Sequence, residues 1–309
     1  AATGTVVKVD ALLSKNNSAL GTASFTIGAT TTVATALAGE GAMPADENGS
    51  AVAGQAKYGQ LMTVAIAGEN VNQGLAFESF VCLGMFLSTT PPLVSTSTLA
   101  YYRCRVTATN LSLNLLAVKR PGAALGDYLV VPQFNVPAPR VRLSMATIDP
   151  LNQSKTGLGD IVLELAPNLA ANTSSNFLDY VNSGFYDGTI FHFVSTQSNL
   201  PLIFGGRYNT TTGTPTPAPK SASMPSATPE LGSEYPRGSV AMTVGTLAEP
   251  GLGQFSISTL ANSHTSSSRA FATVIDGLAI VDSISSTCRQ DVCQYPVPNF
   301  TIESAVQIR

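Results

Sequence analysis

The chain has 309 residues, 44% of them hydrophobic and only 11% charged, with a formal net charge of −3; an ordinary soluble domain is about 25% charged. Its 16 Lys and Arg are spread thinly and form no stripe able to neutralise phosphates, which argues against nucleic-acid binding, and a hydrophobic chain of low net charge is not disordered overall. The longest apolar runs, such as Phe80 to Leu87, fall far short of the roughly 20 residues of a membrane-spanning helix, and the length suits two domains, each with its own core.

The sequence opens on Ala1, Ala2 and Thr3, small residues that fit a mature exported protein whose signal peptide has been removed, so an extracellular, cell-surface or periplasmic location is expected. From Thr5 to about Phe134 the pattern is one of short β-type runs (TVVKV, ASFTI, LMTVAIA, FVCLGMF, YYRCRVTAT, DYLVVPQF) broken by Gly, Asn, Pro and Ser. That spacing predicts a β-sandwich-like domain over residues 1–134. It carries no immunoglobulin signature, because the chain has no Trp. The segment NVPAPR, residues 135–140, contains two prolines and reads as a linker.

The four cysteines fall into two local pairs, Cys82 with Cys104 and Cys288 with Cys293, as two disulfides of an oxidising compartment would. A zinc site is the alternative, but neither pair has the CxxC spacing usual in structural zinc sites. His192 and His264 have no Cys, Asp or Glu at ligand spacing, so neither a metal nor a cofactor is expected.

Residues 141–309 carry the more informative words. A strand, GDIVLELAP (residues 159–167), precedes a helix in which Thr173 or Ser174 is the expected N-cap. Phe177, Leu178 and Val181 make its apolar face, and Gly184 is its stop. Asp187 and Gly188 turn the chain into the strand TIFHFV, SVAMTV and QFSIST read as further strands, and a second helix runs from Leu278 to about Ser286. The stretch TTTGTPTPAPKSASMPSATP, about residues 210–229, is rich in Pro, Ser and Thr and reads as an extended inserted loop or an arm toward a neighbouring subunit. Seven NxS/T sequons occur, modestly more than chance supplies.

These words in this order resemble the cyclophilin family of peptidyl-prolyl isomerases. The resemblance rests on GDIVLEL, on the run from LAPNLAANTSSNFLDYVNSG into FYDGTIFH, on Gly205 and Gly206, on RGSVAM, on QFSI and on AFATVIDGLAIVDSI. It implies an eight-stranded barrel closed by two helices, and leaves the first half of the chain outside it.

Isomerisation of an X-Pro bond meets a barrier of about 18 to 20 kcal/mol, because the amide must lose its resonance. A catalyst needs an apolar pocket for the ring and a donor that favours the pyramidal prolyl nitrogen over the planar one. The resemblance places the family's donor Arg at Phe193, in the triplet Phe191, His192, Phe193, its Gln at Phe204, an aromatic pocket wall at Pro201 and a second pocket Phe at Ser256. Its late His falls near Arg269. His192, Met242, Gln254 and Phe255 match groove positions compatible with an extended peptide.

The expected function is therefore that of an exported structural, binding or assembly subunit on a degenerate cyclophilin domain with weak or no isomerase activity. Its partners would be copies of itself or other exported proteins. The alternative is a secreted isomerase with an altered site, in which Arg207 or Arg269 replaces the missing donor.

Overall fold

The computed structural model describes side chains at residues 57–59, 72, 75, 86–87, 89, 94–103, 105–107, 136–149, 151–209, 230–232, 234–243, 253–262 and 269–309, and the backbone alone for the other strand residues named below. The chain divides into two compact units, Ala1–Pro137 and Ala138–Ile308. Among the described residues no helix is long and apolar enough to cross a membrane.

The first unit is built from strands: β1 (Val6–Leu12), β2 (Ala19–Thr26), β3 (Thr32–Leu37), β4 (Leu61–Gly68), β5 (Ala76–Ser79), β6 (Cys82–Leu87), β7 (Leu99–Val106), β8 (Asn110–Asn114), β9 (Leu116–Lys119), β10 (Leu129–Val130) and β11 (Phe134–Val136). They form a four-stranded sheet of order β3-β4-β7-β6, a three-stranded sheet of order β10-β9-β5, and the pairs β1-β2 and β11-β8. Tyr58, Ala100, Tyr102 and Val106 are buried, and Gly59 donates its N–H to the Val106 carbonyl at 2.8 Å. Cys82 and Cys104 stand on the paired strands β6 and β7, but their side chains, and with them the expected bond, lie outside the described residues. The expected linker is shorter than 135–140: Asn135 and Val136 belong to β11 and Arg140 opens the next strand, leaving Pro137 to Pro139 between.

The second unit contains β12 (Arg140–Ile148), β13 (Lys155–Leu165), α1 (Ala171–Asn182), β14 (Thr189–Ser195), β15 (Leu202–Asn209), β16 (Ala218–Pro219), β17 (Leu231–Tyr235), β18 (Ser239–Met242), β19 (Phe255–Ser258), β20 (Asn262–Ser268), β21 (Ala270–Asp276), α2 (Leu278–Ser286), β22 (Val292–Gln294) and β23 (Asn299–Gln307). Eight strands pair in the order β15-β19-β18-β21-β13-β12-β23-β14, and β14 pairs again with β15, so the sheet closes into a barrel. Apart from Ala218 and Pro219, which pair with Asn209 and Tyr208, the insertion at about 210–229 lies outside the described residues.

Helix α1 starts two or three residues before the expected cap. Thr173 and Ser174 are buried inside its first turn, and Ala170 stands at the N-cap without a side-chain cap. The reason is a carboxylate from far along the chain: Glu230 accepts from the Asn172 N–H (2.7 Å), the Thr173 N–H (3.2 Å) and the Thr173 hydroxyl (2.5 Å). It satisfies the orphan amides that a local Ser or Thr would have served. Burial opposes the charge of Glu230, but these hydrogen bonds outweigh it and hold its carboxyl below the usual range. The stop is as expected: Gly184 takes φ +69, a left-handed conformation natural to glycine.

The barrel core is strongly aromatic. Phe177 on α1 lies 4.9 Å from Phe271, 5.1 Å from Tyr186 and 5.7 Å from Phe255, and Phe191 lies 5.8 Å from Phe255 on the far side. All five rings are fully buried, each worth about 2 to 3 kcal/mol by burial alone. Tyr186 satisfies its hydroxyl by donating to the Gly253 carbonyl at 2.8 Å. Where this cluster meets β15, only glycine fits: a Cβ on Gly205 would stand 2.9 Å from the Phe191 ring, and one on Gly206 would stand 2.7 Å from Tyr186.

Candidate functional site

Cross-strand register sorts the residues of β14, β15, β19 and β18 onto two faces, since residues directly opposite one another share a face. Val194, Ile203, Ile257 and Val240 are opposite one another and fully buried, so they form an inward layer. One step along each strand, Phe193, Phe204, Ser256 and Ala241 make the outward row. Gln294 of β22 extends the row beyond Phe193, and Ala270 of β21 extends it beyond Ala241.

Phe193 and Phe204 are half-buried, with ring centroids 5.5 Å apart in an edge-to-face arrangement. The Ser256 hydroxyl donates to the Ala241 carbonyl at 3.4 Å, and Gln254, two residues before it on the same face, donates its amide to the Thr243 hydroxyl at 3.2 Å. The row thus offers two aromatic rings, a hydroxyl and an amide, with no cation among these residues. Two expected groove residues belong elsewhere. Phe255 and Met242 are opposite each other on the inward face, with 0% and 6% exposure, and Phe255 is committed to the core cluster. Period-two alternation explains this correction: neighbours of an outward residue point inward.

His192 occupies a bulge between Phe191 and Phe193, without a cross-strand partner of its own. It is 8% exposed, its ring lies 4.5 Å from that of Tyr208, and its Nδ1 has no hydrogen-bond partner. Burial pushes its pKa down to about 4, and the charge of Arg207 pushes the same way. The Arg207 guanidinium lies 5.5 Å from the Tyr208 ring centroid and also lowers the pKa of Tyr295, whose overall upward shift comes first from burial and then from Tyr208. The sequence paired Arg207 and Arg269 as stand-in donors; the structure separates them. Arg207 neighbours His192, whereas Arg269 donates to the Leu231 carbonyl at 3.2 Å and lines a separate cleft of about 470 Å³ with Glu234, Pro236 and Leu169. Pro201 is buried and accepts from the Thr259 N–H at 2.9 Å. The His264 side chain lies outside the described residues.

The carboxylates of β13 have structural partners. Glu164 pairs with Arg140 at 2.8 Å, and Asp160 accepts from the Ser144 hydroxyl at 2.7 Å. Cys288 and Cys293 form a disulfide, as their spacing suggested. What sequence reading missed in the site is β22 and its Gln294, because a three-residue strand carries no detectable periodicity.

Residues 151–307 match the family described as cyclophilin type peptidyl-prolyl cis-trans isomerase. Over 166 residues the chain is 31% identical to a peptidyl-prolyl cis-trans isomerase of Acinetobacter baylyi, covering 49% of this chain and 83% of that protein. It is 36% identical over 166 residues to the peptidyl-prolyl cis-trans isomerase cyp18 of Streptomyces antibioticus, covering 48% and 93%. With peptidyl-prolyl cis-trans isomerase B of Escherichia coli the identity is 33% over 138 residues, covering 42% and 80%. The chain belongs to the cyclophilin-type peptidyl-prolyl isomerase family, through its second unit.

Proposed function

We propose that this protein is an exported member of the family that binds extended, proline-containing peptides along the outward row and isomerises them weakly or not at all. The carrying observation is the row itself, in which Phe193 and Phe204 stand edge to face and Ser256 follows. Aromatic rings bind an apolar peptide in its ground state and its twisted state about equally, and equal binding lowers no barrier. A catalyst needs a donor realised at the pyramidal nitrogen, and losing one such donor costs about 10² to 10³ in rate. Export is supported by the Cys288–Cys293 disulfide, since such bonds persist in oxidising compartments. A role in assembly, with copies of itself or other exported proteins, is supported by the 11% charged composition, which makes a surface inexpensive to desolvate.

The test is NMR exchange spectroscopy on the peptide Ala-Ala-Pro-Phe. The expected result is line broadening on binding without faster cis to trans exchange, and a gain of about tenfold or more in exchange rate for Phe193→Arg. Wild-type protein that catalyses exchange freely would overturn this reading and favour the second, in which Arg207, beside His192, supplies the donor. In that case Arg207→Ala would abolish the activity.

A further inference from the structure

Strand β22 is held to the barrel by little of its own. It is three residues long, with Val292 and Cys293 half-buried and Gln294 exposed. Its residues oppose Ser195, Val194 and Phe193 in turn. Three hydrogen bonds flank the pairing: the Tyr295 N–H donates to the His192 carbonyl (2.7 Å), the Thr196 N–H to the Asp291 carbonyl (2.9 Å), and the Thr196 hydroxyl to the Gln290 carbonyl (2.9 Å). Tyr295 leaves the strand at φ 51, a region that a tyrosine disfavours. A strand this short, without a fully buried side chain, does not persist through β-propensity.

What fixes it is covalent. The disulfide joins the central residue of β22 to Cys288, just past the end of α2, and α2 is seated by the fully buried Val281 and Ile284. Strand β23 pairs with β14 only at Ile190 and Phe191. Among the described residues, β22 is therefore the strand that covers the β14 edge from Phe193 to Ser195.

We propose that the Cys288–Cys293 disulfide is a redox latch on the outward row. Closed, it holds β22 against β14 and sets Gln294 beside Phe193. Opened by a dithiol reductant, it lets β22 leave and bares the β14 edge at Phe193 to Ser195. The exchange balances. One thiolate of the reductant attacks the Cys293 sulfur, more accessible than the buried Cys288, and Cys288 departs as a thiolate that takes up a proton. The second thiol of the reductant then displaces Cys293, so the protein gains two thiols while the reductant, losing two electrons and two protons, becomes a disulfide. Cys288 Sγ already lies 3.0 Å from the Gln290 carbonyl oxygen, so the new thiol finds an acceptor in place. The effect on a bound peptide rests on the function proposed above; the latch itself does not.

The test is backbone amide exchange, measured by NMR on the full chain with and without dithiothreitol. The Tyr295 and Thr196 amides report the latch, and the Leu165 and Val274 amides, bonded to Pro139 and Gly238 within the barrel, report the core. Reduction is expected to speed exchange at the two latch amides by about tenfold or more while leaving the core amides unchanged, and Cys288→Ser/Cys293→Ser should reproduce this without reductant. A smaller change at the latch, or an equal acceleration in the core, overturns the proposal, the latter making the disulfide a staple of the whole barrel. Because no peptide is present, this outcome is independent of whether the row binds one.

Discussion

Phe191 and Phe193 are two residues apart on one strand and obey different rules. Phe191 faces a packed interior where Gly205 and Phe255 leave it no freedom. Phe193 faces outward and is half-buried against Phe204, with one side left to solvent. Two residues apart, they would share a face in a regular strand; the bulge at His192 shifts the phase, so that packing constrains one ring and leaves the other on the outward face.

The inward face is the easiest to break. Gly206→Ala forces a side chain into a left-handed backbone position (φ +85) and a Cβ to 2.7 Å from Tyr186, and is expected to destabilise the barrel by about 4 kcal/mol. Calorimetry should show a fall of about 10 °C in the Tm of the unit. A shift smaller than a few degrees would mean that the core yields, and the contrast between faces would fail.

His192 sits where the faces meet, and pH sharpens its place. Unfolded, it binds a proton below about pH 6.5; folded, it resists until about pH 4. Its contribution is therefore complete above pH 6.5 and is lost as pH falls toward 4. The loss amounts to about 3 kcal/mol, since every pH unit that separates the folded from the unfolded value is worth about 1.4 kcal/mol. Urea unfolding at pH 7 and pH 4.5 should show the loss in wild-type protein and a much smaller one in His192→Gln. Equal losses in both would place the ring in water.

Glu230 acts away from both faces and has the smallest effect. Glu230→Ala leaves the first-turn amides of α1 without their acceptor and should cost about 1 kcal/mol in urea unfolding, the usual worth of an N-cap. A neutral substitution would show that water replaces the carboxylate.

The sequence made the barrel legible because its framework is written in local signals: the Asp187–Gly188 turn, the Gly184 stop, the apolar run TIFHFV and the glycine pair. The α1 start was misplaced because its cap comes from 57 residues away, which no local pattern encodes. Phe255 and Met242 were assigned to the groove by resemblance to family positions, and the strand period turns them inward. Phe193, Phe204 and Ser256 could be read as an outward row only once cross-strand register was known. In the first unit β1, β2, β4, β6, β7 and β10 overlap the apolar runs read from the sequence, whereas β3, β5, β8 and β9, short or built from small and polar residues, fall in none of them.

The reach of Glu230 makes the start of α1 a product of the tertiary fold. Its carboxylate comes from 57 positions along the chain to take the first-turn amides and the Thr173 hydroxyl, so a peptide cut to α1 alone lacks the acceptor that sets where the helix begins. The first turn of α1 therefore forms together with the barrel rather than ahead of it.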